Sequence, residues 1–286
     1  MIQYFELVTL GALAGLTIFL GLPLAVIQGV SESKKGFLNA LAIGILLFLM
    51  VDVFGHAWTA TQDAVIKSFA TNGPTEEAVL PLVAMFGGLA AGLLGLTWYG
   101  TRFMKPKPAH SHVATSNATG ARGVKKQELQ LVQKVDAYRL SMMIAIGIGS
   151  HNFSEGLAIG QSYASGTLGL AVMLIIGFAA HNATEGFGIA APLTGLSKKP
   201  SFRFLGIAGL VGGAPTFAGT VLGSLWASPL TYIFFLSVAG GALVYVTMLM
   251  YNAGRRQVTN SILMLGFFFG LLAGFITDLL VALGGA

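Results

Sequence analysis

Eight stretches of the chain run nearly free of charge for the ~20 residues that an α-helix needs to cross the hydrocarbon core of a bilayer. They cover about 5–29, 36–58, 78–101, 138–164, 168–194, 203–224, 229–252 and 259–282. A lipid-embedded chain must satisfy its own backbone N–H and C=O groups, so each span is expected to be helical. The fold class read from this is an all-α polytopic membrane protein, a single membrane domain over residues 1–286. Composition excludes an ordinary soluble domain: 55% of residues are hydrophobic and 9% charged, against about a quarter charged in soluble proteins. The chain has no cysteine, which removes disulfides and thiolate metal sites. Its net charge of +5 is dispersed over short loops, so the partner implied is a lipid bilayer and not a nucleic acid.

The opening "MIQYFELVTL" has no basic residue before its apolar stretch and carries Glu6, so a retained first span is expected instead of a cleaved signal. Gly11/Gly15, Gly88/Gly92 and Gly270/Gly274 have the GxxxG spacing of closely packed membrane helices. Of the 16 basic residues, 15 fall in alternate loops: after span 1, between spans 3 and 4, after span 5 and after span 7. The opposite loops hold Asp63, Glu76 and Glu77 against the single Lys67. By the positive-inside rule the basic loops are cytoplasmic and both termini lie outside a cell membrane. The basic loop at 102–137 is rich in Pro, Ser and Lys before turning amphipathic, and its first half reads as disordered. It contains His110 and His112, a candidate transient metal contact.

Within this apolar chain two segments thirty positions apart nearly repeat: "HNFSEGLAIG" at 151–160 and "HNATEGFGIA" at 181–190. Residues four apart share a helix face, so His151 and Glu155 converge, and His181 and Glu185 do likewise. Imidazole with carboxylate suits zinc, and also iron(II) or manganese. Asn152 and Asn182 add carbonyl oxygens on an adjoining face, and Gly156 and Gly186 leave room for helices to approach. An ionisable residue deep in a span costs ~2.5–3.5 kcal/mol on insertion scales. A divalent cation shared by two glutamates and two histidines would offset that cost. The alternative, a structural His–Glu pair, explains one copy of the motif more easily than two. With spans 4 and 5 antiparallel, Glu155 lies about 6 Å outward of His151 and Glu185 the same distance inward of His181. Packed together they would make a ladder of ligands, suited to permeation more than to hydrolysis.

On these motifs, with eight spans, outside termini and a long variable loop between spans 3 and 4, the whole chain resembles the ZIP family of divalent-metal transporters. The signatures of that family are His-Asn-x-x-(Asp/Glu)-Gly in span 4 and a similar motif ending in Glu-Gly in span 5. The resemblance implies an inverted repeat of spans 1–3 and 6–8 around spans 4 and 5. It implies movement of metal towards the cytoplasm by an elevator-like shift of spans 1, 4, 5 and 6, and a homodimer. His151, Glu155, His181 and Glu185 would form the principal site. Asn152, Asn182 and Glu185 would be what remains of a second. The metal is substrate, and no cofactor is implied. Ser154 and Thr184 stand where many members have proline. Ala214 precedes Pro215 where span 6 often carries an acid, and span 7 lacks its usual acid, so one transport site is expected.

Asp52 and His56 in span 2 and Asp278 in span 8 are further intramembrane ionisable residues. They are candidates for an outer path collecting cations, unless Asp52 and His56 simply pair with each other. Two other functions fit the ligand set. A metal-dependent intramembrane hydrolase would need an open metal position and a base, although no HExxH occurs. The other is a membrane protein that binds metal without moving it. Transport of zinc first, with iron(II), manganese or cadmium as alternatives, is the reading preferred over an enzyme.

Overall fold

The computed structural model describes residues 4–103 and 118–283, apart from 28, 30, 167, 195, 197, 227, 256 and 257. Among the described residues the chain forms eight α-helices and no strand. They are α1 (Tyr4–Leu16), α2 (Glu32–Ala70), α3 (Thr75–Phe103), α4 (Ala118–Ala164), α5 (Leu168–Ala190), α6 (Phe202–Leu225), α7 (Pro229–Gly254) and α8 (Asn260–Leu283). Six of them, α1 with its continuation to Val26, α2, α3, α6, α7 and α8, are long and apolar enough to cross a membrane. The two polar motifs lie on α4 and α5. Large apolar side chains such as Phe5, Phe202, Leu225 and Phe275 are exposed, as a lipid-facing surface requires.

Local chemistry sets the helix ends. Ser31, Ser201 and Ser228 cap α2, α6 and α7, their hydroxyls accepting from the backbone N–H of Lys34, Phe204 and Thr231. Pro229 follows Ser228 at the first turn, where its missing N–H costs nothing. α1 gives way to 3-10 segments over Thr17–Leu20 and Leu22–Val26, and Pro23 sits in the second. α2 runs to Ala70, twelve residues beyond the end that hydropathy suggests.

Packing divides the helices into two groups. α1, α4, α5 and α6 contact one another, with α4 against α6 the most extensive pairing; α2, α3, α7 and α8 form the other group through α3–α7 and α2–α8. Exchanging helices 1–3 with 6–8, and α4 with α5, maps these contacts onto each other, which is the inverted-repeat bundle with α4 and α5 at its centre. The three glycine pairs mark its crossings: Gly11 and Gly15 face α6, Gly88 and Gly92 face α7, and Gly270 and Gly274 face α2. The groups meet along α4–α7, α2–α5 and α5–α8.

Candidate functional site

Each motif is a single helical stretch with two working faces about 100° apart. On one face lie Asn152 and Gly156 of α4, and Asn182 and Gly186 of α5. Asn152 Nδ2 donates to the Gly212 carbonyl of α6 at 2.9 Å, and Asn182 Nδ2 donates to the Ala14 carbonyl of α1 at 3.1 Å. A methyl group at position 156 would collide with the Thr216 carbonyl oxygen, and one at 186 with the Ile18 carbonyl oxygen. The asparagine ties the neighbouring backbone and the glycine lets it close in, identically on the two sides of the inverted repeat. Thr17 Oγ1 adds a bond to the Ala179 carbonyl at 2.6 Å.

The other face carries the ionisable groups. His151 Nε2 is 3.1 Å from Glu155 Oε1 and 3.7 Å from Glu185 Oε1, so one imidazole stands between carboxylates from two helices. All three side chains are buried. Glu155 Oε2, both Glu185 oxygens, Asn152 Oδ1 and Asn182 Oδ1 are buried acceptors with no hydrogen-bond partner among the described residues. Unpaired acceptors are costly in such surroundings, and the two carboxylates among them stand beside one imidazole. The backbone places His181 one turn before Glu185 on α5; its side chain lies outside the described residues, as do His110 and His112. Among the described residues no three His, Asp or Glu side chains stand ready-made as a metal cage. Ser154 Oγ bonds back to the Ser150 carbonyl at 3.3 Å, the weak substitute for a proline kink. Ala214 is exposed on α6, which offers the site no carboxylate.

A cavity of about 440 Å³ leads away from His151 and Glu155 towards the end of the bundle opposite the basic loops. Asp52, His56 and Asp278 line it, facing Leu174 and Phe178 of α5 across the seam between the helix groups. His56 Nδ1 donates to the Asp52 carbonyl at 3.0 Å and lies 3.5 Å from Asp52 Oδ1. That donation leaves Nε2 as the ring's free lone pair when the ring is neutral. The pair therefore interacts locally and still borders the cavity. Gln161, Ser162 and Tyr232 also line it, and sequence reasoning did not single them out. Ser162 was legible, being seven residues from Glu155 on the same face of α4; nothing in the sequence brings Tyr232 of α7 to this wall. In the other direction the site is closed: Ile148 and Ile144, one and two turns before His151, and Ile189, one turn after Glu185, are fully buried among Ile18, Leu46 and Met143.

The arrangement can hold a cation between two helices, open to one side and sealed on the other. A family model described as a ZIP zinc transporter matches residues 37–282 of the chain. No curated protein matches it.

Proposed function

Since the chain belongs to the ZIP zinc transporter family, a family of transporters and not of enzymes, we propose that it carries a divalent transition-metal ion, zinc first, towards the cytoplasm through a site made by His151, Glu155, His181 and Glu185. Iron(II), manganese and cadmium are alternative substrates, because a His/Glu ligand set accepts all of them. The observation that carries this reading is the position of His151 between Glu155 and Glu185 at the foot of the cavity, where Glu155 Oε2 and both Glu185 oxygens are buried with no hydrogen-bond partner among the described residues. A divalent ion entering there would gain a nitrogen and two carboxylates while relieving the carboxylate repulsion.

The proposed route begins outside, at Asp52, His56 and Asp278, passes Ser162 and reaches Glu155 before His151 and Glu185. Asn152 and Asn182 can offer an ion only their carbonyl oxygens, the acceptor end of each carboxamide; with no acid on α6, we assign one ion site. In this orientation the basic loops are cytoplasmic and both termini outside a cell membrane, and the described conformation faces outward. Release then requires α1, α4, α5 and α6 to move as a body past the other four helices, which fits their division into two packing groups. The transporting unit is proposed to be a homodimer in the bilayer.

The test is metal influx into liposomes holding purified protein, followed with an internal fluorescent indicator. Influx of at least one of zinc, iron(II), manganese or cadmium well above that of empty liposomes is expected. Binding of zinc without any influx would turn the reading into a metal-binding membrane protein. His110→Ala is expected to leave influx unchanged, since His110 plays no part in the proposed route.

A further inference from the structure

A second groove lies at the basic-loop end of the seam, where α3 and α7 meet α4. Its floor is apolar: Gly100 from α3, Leu140 and Met143 from α4, and Leu249 from α7, with Tyr245 beside Gly100, in a cavity of about 250 Å³. Its mouth holds two charges, Asp136 and Arg139. They stand three apart on one helix, a spacing that favours pairing, yet among the described residues no ion pair joins them and the buried Arg139 Nη1 has no hydrogen-bond partner. Asp136 is exposed.

Depth identifies what meets this mouth. Arg139 is 12 residues before His151 on the continuous α4, ~18 Å along the axis, and half the hydrocarbon core is ~15 Å. With the site near mid-membrane, the guanidinium stands at headgroup level and the apolar floor beneath it at acyl-chain level. An unpaired guanidinium nitrogen there is matched by a phosphate oxygen, to which it gives a charge-assisted hydrogen bond. The carboxylate beside it disfavours a second negative charge and favours a cationic donor. A choline headgroup has no N–H to give a carboxylate; a primary ammonium has three.

We propose that this groove binds a phospholipid with a zwitterionic primary-amine headgroup of the ethanolamine type, its phosphate on Arg139, its ammonium on Asp136 and one acyl chain along Leu140, Met143 and Leu249. The proposal needs only the membrane-spanning fold and stands independently of the ion route. Because the groove takes walls from both helix groups, a lipid held there bridges them.

Purified full-length protein in detergent, titrated with lipids of matched chains and read by native mass spectrometry, tests it. Phosphatidylethanolamine should be retained about tenfold better than phosphatidylcholine or phosphatidylglycerol, the worth of one charge-assisted hydrogen bond. Asp136→Asn should bring ethanolamine lipid down to the choline level without changing retention of the choline lipid. Arg139→Ala should weaken both about tenfold. Soluble phosphoethanolamine, which lacks the chains, should not compete. Equal retention of the three lipids, a preference for phosphatidylglycerol, competition by phosphoethanolamine, or an ethanolamine preference surviving Asp136→Asn would each overturn the proposal. Asp136 is exposed, so that variant remains informative even if Arg139→Ala fails to fold.

Discussion

The six residues at 151–156 and the six at 181–186 solve one packing problem twice but occupy different chemical positions. On the Asn/Gly face the two copies are equivalent, each tied to a backbone carbonyl and pressed against a neighbouring helix. The neighbours differ. α4 packs on the continuous α6, whereas α5 packs on α1 where that helix relaxes into 3-10 turns near Gly21. On the His/Glu face the copies diverge further, for His151 and Glu155 border the cavity and Glu185 lies wholly behind them. In the proposed route two nearly identical motifs become a first and a second contact for an incoming ion. Sequence symmetry produces a symmetric scaffold, and access alone makes the site directional.

That contrast can be broken most severely at the carboxylates. Glu185→Ala should reduce influx by at least about a hundredfold, since losing partners one shell further out already costs 10- to 100-fold in metal sites. Glu155→Ala should do the same. Influx unchanged in Glu185→Ala would mean that α5 contributes no ligand and that the two copies do not share an ion.

The scaffold equivalence makes a smaller prediction. Gly156→Ala and Gly186→Ala each force a methyl group onto a carbonyl oxygen, an overpacking of ~1–3 kcal/mol, and thermal unfolding in detergent should show similar losses for both. A much milder effect at 186 would show that the 3-10 region of α1 yields where α6 does not, sharpening the difference between the neighbours. Smaller again, Asn152→Ala and Asn182→Ala should each cost ~1 kcal/mol of stability through the freed backbone carbonyl, equally if the repeat is energetically symmetric. The smallest effect belongs to the access path. Asp52→Asn removes one charge from a wet vestibule, worth ~1 kcal/mol at close range, and should raise the KM of influx about fivefold while maximal influx is kept. A fall in maximal influx with KM unchanged would move Asp52 from the path to the ion site.

The sequence alone was enough to find the helices, because a bilayer demands ~20 apolar residues and leaves the backbone no other way to satisfy itself. It also identified the residues of the motifs, since ions and carboxylates do not accumulate in lipid by accident. It marked Gly156 and Gly186 as room for helix approach, which the structure bears out, but did not reveal that Asn152 and Asn182 serve the same packing face. Asn152 and Asn182 read as oxygen ligands, and the structure spends their amide groups on backbone carbonyls while the oxygens have no hydrogen-bond partner among the described residues. Gln161 and Tyr232 were invisible as cavity walls for a similar reason. Helical periodicity fixes which residues of one helix are neighbours, four apart or seven apart. It carries no information about which neighbours belong to different helices. That His151 meets Glu185 as well as Glu155, that the cavity opens to one end, and that Ile144, Ile148 and Ile189 close the other were decided by tertiary packing, in which the summed contact of whole helix surfaces, and not any local preference, sets how the helices lie against each other.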